Sequence, residues 1–250
     1  MASLSNTINI NNRLIAFTTP ETYAVRLSPL ITLKGWTPLW FPTISVGPTA
    51  HTKSSLVHYL TPPSPIINSF SALAFTSRNG ISAFLHAMSS CIDSPPLSPC
   101  SSSHDNDKWA GGYGRKVLCP VPLVVGLDEP EVVPNFLRQL HRMGWVAVKV
   151  DAYETQWMAS ECGVRLLETD KVDAIVFTST AEVQGLLKSL KVMGLEWSDV
   201  AKRNPGMVVA AHGPVTAAGA ESFGVCVNVV STRFGSFDGV VDALDQFWSK

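Results

Sequence analysis

Small hydroxyl residues and glycine recur at one kind of place in this chain, where an unbroken apolar run gives way to helical spacing. The four instances are Thr18-Thr19, Thr76-Ser77, Thr178-Ser179-Thr180 and Gly213-Pro214-Val215-Thr216. A helix opening at such a turn presents backbone N–H groups without intrahelical acceptors and the positive end of its dipole. A neighbouring hydroxyl then helps to hold a carboxylate or phosphate. For any one turn taken alone, a plain helix cap is the better reading. Four of them together favour an anion-binding crevice. His212, just before Gly213, can be read as a hydrogen-bonded histidine at a sheet edge or as a proton donor. Other chemistries find no support: there is no Walker A sequence, HExxH or GxSxG, and the six histidines show no metal-ligand spacing. Gly112-Tyr113-Gly114 precedes a strand instead of following one, so it is not a dinucleotide loop. Residues 18–22 match a flavin phosphate loop only weakly, which leaves a flavodoxin-like electron carrier as a minor alternative.

The elements that position these turns can be read from apolar spacing. Residues 13–18 (RLIAFT) predict a buried strand, with Thr19 as cap and Pro20 in the first turn of a helix over 21–34 closed by Gly35. Residues 39–46 (LWFPTISV) are strand-like, but Pro42 forbids a central ladder position, so this strand ends or crosses over. Strands follow at 71–76, 116–125, 146–151, 173–178, 207–211 and 226–230. Helices are predicted over 78–88, near 130–143, over 181–190, from Pro214 and from Phe237. Strand-helix alternation with unbroken apolar strands indicates an α/β fold with parallel sheets covered on both faces. Residues 89–115, rich in Ser, Pro and Gly, are expected to form a flexible loop, long for a compact domain.

The chain also repeats itself. Residues 71–88 and 173–190 align without gaps, with identity at Ala72/Ala174, Phe75/Phe177, Thr76/Thr178, Ser77/Ser179 and Leu85/Leu187. Gly35-Trp36 before one strand is echoed by Gly144-Trp145 before another. Two related α/β domains fit the 250-residue length.

Composition narrows the classes further. Apolar residues are 46% and charged residues 16% of the chain, which excludes disorder over most of its length. A net charge of −1, from 19 basic and 20 acidic residues, disfavours a nucleic-acid binder that works by counterion release. Five cysteines without a CxxC pair suggest a reduced intracellular protein, not a disulfide framework or zinc site. No apolar run approaches the ~18 residues of a membrane helix.

In order, the segments IAFTTPE, PLWFPTISV, LAFTSRNGISAFL, VKVDAYET, IVFTSTAEVQGLL and VVAAHGPVTAAGAESFGV resemble the uroporphyrinogen-III synthase family, in the style of a plant member. The resemblance implies two flavodoxin-like parallel-sheet domains joined by a two-stranded connector. Domain 1 would comprise 13–45 plus 156–250 and domain 2 would comprise 46–155, with the substrate in the crevice between them. It implies a monomeric, cofactor-free lyase that closes linear hydroxymethylbilane into uroporphyrinogen III, losing water and inverting ring D, in heme and chlorophyll biosynthesis. Carried over by position, Tyr153 would be the proton donor, although an aromatic packed at the domain junction fits equally. Thr18, Ser77, Ser179, Gly213 and Thr216 would hold substrate carboxylates. Three departures stand out: Thr19 replaces the usual Arg of the first turn, Val215 replaces a Thr, and the V-G-x-x-T-A strand and helix expected between Met88 and Lys116 are absent, leaving domain 2 incomplete. The alternative is a catalytically inactive homologue that binds a tetrapyrrole or a protein partner. No nucleic acid or membrane partner is expected. The resemblance places the protein in the chloroplast, and with no clear transit peptide the cytoplasm stays open.

Overall fold

The structure is a computed structural model that describes residues 12–61, 66–91, 111–129, 131–158, 162–169 and 171–250. The chain divides into two compact units, Met1–Ser45 with Trp157–Lys250, and Val46–Gln156.

The first unit is built on a five-stranded sheet of β1 (Leu14–Phe17), β2 (Thr37–Trp40), β7 (Ala174–Phe177), β8 (Val208–Ala211) and β9 (Val229–Val230). Its order is β2-β1-β7-β8-β9, and every neighbouring pair is parallel. This is the flavodoxin-like 2-1-3-4-5 order, which places the β1, β7 and β8 ends side by side on one edge. Side chains alternate between two cores. Ile15, Phe17, Val176 and Ala210 pack with α1 (Glu21–Leu33) and α9 (Asp238–Trp248), while Ala16, Ile175, Phe177 and Val209 pack with α6 (Thr180–Val192), α7 (Trp197–Arg203) and α8 (Pro214–Ser222). Both faces are covered, which is why these strands read as continuous apolar runs.

The second unit carries β3 (Ile44–Gly47), β4 (Ala72–Leu73), β5 (Lys116–Val125) and β6 (Val146–Trp157), in the order β3-β6-β5-β4. The boundaries between units fall inside β3 and β6, which are neighbouring strands. On one face Leu118, Val150 and Ala152 meet α2 (Ala50–Leu60) and α3 (Arg78–Ser90); on the other Val117, Cys119 and Val121 meet α4 (Val132–Arg142). Among the described residues this sheet has four strands against five in the first unit. Positions 92–110 of the expected flexible stretch lie outside the described residues, but 111–115 form a tight turn. There Gly112 N donates to Met143 O at 2.6 Å, Gly114 N donates to Gly144 O at 2.8 Å, and the Arg115 guanidinium stacks over Trp145.

Proline explains two of the places where the strands depart from the sequence reading, while the strand expected over 226–230 is confined to Val229–Val230. The segment 39–46 is two strands in different sheets, broken around Pro42. The strand expected over 71–76 shrinks to two residues. Ala74 N still bonds to Leu118 O, but the return bond would have to come from Pro120, which has no N–H. The expected Thr19 cap is corrected: helix α1 starts after Pro20, whose carbonyl accepts from Tyr23 N and Ala24 N, so Thr19 lies one residue too early. The repeat is geometric as well as sequential, since α3 and α6 both run for 13 residues and both begin after an extended serine that accepts an amide from the helix's first turn. Among the described residues no helix is long and apolar enough to cross a membrane.

Candidate functional site

In the second unit the candidate site forms around Tyr153. Strand β6 pairs with β5 in regular register up to Asp151 opposite Val121, and then the register shifts so that Pro122 stands opposite Tyr153. Pro122 offers no N–H, and the bulge skips Ala152. Strict alternation would send Ala152 and Tyr153 to opposite faces, yet both belong to the same buried cluster with Val150 and Phe84. Tyr153 is only 5% exposed, and its Oη lies 2.8 Å from Ser77 Oγ. Ser77 caps α3 by accepting from Gly80 N at 3.2 Å. A Cβ on Gly80 would come within 3.0 Å of Pro120 O, so a glycine there lets the start of α3 approach β5. Next to Tyr153, Glu154 accepts from Thr49 Oγ1 at 2.7 Å, and Thr49 forms a reciprocal capping box with Thr52 at the start of α2. The structure therefore brings Tyr153 and Ser77 together, and the phenol is placed by a helix cap and a strand bulge.

In the first unit the three turns after β1, β7 and β8 meet on one edge, and their hydroxyls turn inward. Thr18, fully buried, donates to Glu182 Oε2 at 3.0 Å, and Ser179 Oγ donates to Oε1 at 3.1 Å. Thr178 contributes both its hydroxyl, to Oε1, and its backbone N–H, to Oε2. Ser179 also caps α6 by accepting from Glu182 N. Thr216 Oγ1 donates to Thr178 O at 3.2 Å and so ties the start of α8 to the end of β7. Gly213 precedes α8 in extended conformation without a side-chain cap, and because Pro214 has no N–H the amides of that first turn are those of Val215 and Thr216.

Glu182 is the residue that the sequence reading missed. It is the third residue of α6 and has no exposed surface. Burial pushes its carboxyl pKa above the ordinary value, and the bonds from Thr178, Thr18 and Ser179 oppose that rise. The signal was present as Ser179-x-x-Glu182, the capping-box spacing.

His212 continues the β8 ladder, its N–H bonding to Phe177 O, and its ring packs 5.0 Å from Phe237. Burial lowers its pKa below the ordinary histidine value, against a backbone hydrogen bond with Phe234 that raises it. Its Nδ1 is buried and has no hydrogen-bond partner among the described residues. Among those residues no group of three His, Cys, Asp or Glu side chains is arranged to hold a metal ion.

This architecture has known counterparts. Uroporphyrinogen III synthase from the extremely thermophilic bacterium Thermus thermophilus, in a mutant form, aligns with a TM-score of 0.56 at 15% identity, covering 95% of this chain and 98% of that one. Uroporphyrinogen-III synthetase from Helicobacter pylori aligns with a TM-score of 0.51 at 12% identity, covering 95% and 99%. At such identities these likenesses concern the fold. No curated protein sequence matches the chain. A family model described as Uroporphyrinogen-III synthase HemD matches residues 114–240, just over half of the chain, from the turn before β5 through the start of α9. The chain therefore belongs to the uroporphyrinogen-III synthase family, the cyclising lyases of tetrapyrrole biosynthesis.

Proposed function

We propose that this chain closes hydroxymethylbilane into uroporphyrinogen III, with Tyr153 giving the proton that carries off the hydroxyl group. Breaking the C–O bond releases water and leaves a delocalised pyrrole cation. Ring D attacks that cation through the carbon that already carries its bridge to ring C. That bridge bond breaks, leaving the cation on ring C, and re-forms at the free carbon of the now inverted ring D, whose proton is lost to restore aromaticity. A positioned acid at the leaving oxygen assists the first step. The observation that supports this role is the 2.8 Å bond between Tyr153 Oη and Ser77 Oγ beside the start of α3. Ser77 holds the phenol at the positive end of the α3 dipole, which favours a carboxylate there. In the first unit Thr18, Ser179 and Thr216 spend their hydroxyls internally, so substrate carboxylates there would be met by backbone amides at helix starts without a side-chain cap, those of α1 and α8. Most of the remaining rate advantage would come from holding the flexible chain with its ends together.

The resemblance to plant members adds a plastid location, a share in chlorophyll supply, and action as a monomer without cofactor. Organelle fractionation and sedimentation of the native protein check these. The synthase reading is tested by supplying freshly generated hydroxymethylbilane and separating the products. Isomer III is expected; isomer I alone from folded protein overturns it.

A further inference from the structure

On the carboxyl edge of the first unit, four donors converge on one side chain and share its two oxygens evenly. Thr18 Oγ1 and Thr178 N reach Oε2 at 3.0 Å each, and Ser179 Oγ at 3.1 Å joins Thr178 Oγ1 on Oε1. The donors come from two strand ends and a helix start, and the carboxylate between them is wholly buried. Among the described residues no cation pairs with it, so hydroxyls, one amide and the dipole of α6 carry the whole compensation. Two donors per oxygen, at the head of a helix, is an arrangement that suits a bound carboxylate. Thr43 closes the far side, with its Oγ1 on Glu182 O at 3.0 Å and its N–H on Thr18 O at 3.2 Å.

We infer that Glu182 is a resident carboxylate that fills an anion site between the ends of β1 and β7. It thereby bars substrate carboxylates from this site. The exclusion of substrate rests on the synthase reading; the existence of the filled site does not.

Replacing Glu182 by Ala removes the side chain beyond Cβ, which is the skeleton of one acetate ion. The cradle of Glu182→Ala should then accept acetate. The probe is sodium acetate, with sodium chloride at equal ionic strength as control, read by thermal unfolding at neutral pH. The variant is expected to melt well below the parent protein and to recover most of the loss along one saturable curve, half-complete in the millimolar range. The parent protein and Glu182→Gln, whose cradles stay filled, are expected to show no saturable response. Propionate, one methylene larger, is expected to restore less. Equal stabilisation of all three proteins by acetate, or no recovery of the variant, overturns the inference. Should Glu182→Ala not fold in plain buffer, refolding from urea gives the same reading: recovery only with acetate supports the filled site, and failure in both salts overturns it. None of these readouts needs turnover, so acetate recovery in a protein that makes only isomer I would leave the site standing and remove the synthase reading.

Discussion

Tyr153→Phe removes one oxygen from a phenol whose ring is buried with Val150, Ala152 and Phe84. The ring keeps its packing, and the loss includes the bond to Ser77 Oγ at 2.8 Å. Ser77 still accepts from Gly80 N, and α3 keeps its cap. One such bond contributes about 1 kcal/mol net. In a protein of this size that lowers the melting temperature by roughly 2–4 °C. A general acid, by contrast, contributes on the order of 100- to 10,000-fold in rate, or about 3–5 kcal/mol of barrier. The two magnitudes separate the roles. Isomer III formation should be followed over a range of hydroxymethylbilane concentrations, beside a thermal melt of the same preparation. The expected result is a fall in kcat of roughly a hundredfold or more, with KM changed by no more than about twofold and a melting shift of a few degrees. Retention of kcat within about threefold would refute the assignment of the proton to Tyr153. Ser77→Ala completes the comparison. It costs a helix cap worth about 0.5–2 kcal/mol and loosens the phenol without deleting it, so its kcat should fall less than that of Tyr153→Phe.

Further outcomes follow from the same geometry. A Cβ on Gly112 would stand 2.3 Å from Trp145 N and 2.4 Å from Gly144 C, against backbone that cannot rotate away. Gly112→Ala should cost about 3 kcal/mol, read as a lower urea midpoint, and an unchanged midpoint would disprove the close approach. The folded-state pKa of His212 is lowered, so as pH falls through 6.5 the unfolded chain takes up the proton first. Stability present above that pH drains below it, and His212→Leu should remove that part of the acid-side slope in melts taken at successive pH values. Glu182 works in the opposite sense. Its raised pKa means that the unfolded chain ionises first as pH climbs past 4.5, so the folded state loses ground from there up to the folded value. Glu182→Gln should flatten that decline, and an identical slope in both proteins would contradict it.

The sheet of the first unit was legible because its strands are buried on both faces. LIAF and AIVF are continuous apolar runs closed by Thr18 and Thr178, VVAA is one closed by His212-Gly213, and each becomes a strand. Helix α2 was not legible: AHTKSSLVHYL buries only Thr52, Leu56 and Leu60, and its start is fixed by the Thr49 capping box, not by an apolar stripe. Helices α5 (Cys162–Glu168) and α7 are two turns long, too short to show a period. The brevity of β4 depends on Pro120, a residue of its partner strand that no local reading of 71–76 contains. At the site, the hydroxyls were visible and their neighbourhood was not. Thr18 and Glu182 are 164 positions apart, and only the pairing of β1 with β7 brings them within bonding reach. The contact of Ser77 with Tyr153 likewise needs the bulge at Pro122, because alternation alone would place the phenol on the wrong face.

The pairing of β1 with β7 also bears on how the protein is made. Leu14 N donates to a carboxylate oxygen of Asp173, 159 positions downstream. At the usual ribosomal pace of about 5–20 residues per second, that acceptor emerges roughly 10–30 s after the first strand. Throughout that interval LIAF is a sticky nascent segment waiting for its mate, while everything from Val46 to Gln156 is synthesised in between. A translation arrest just short of Asp173 should therefore leave the amino-terminal strand open to holdase chaperones, and release a few dozen codons later should bury it.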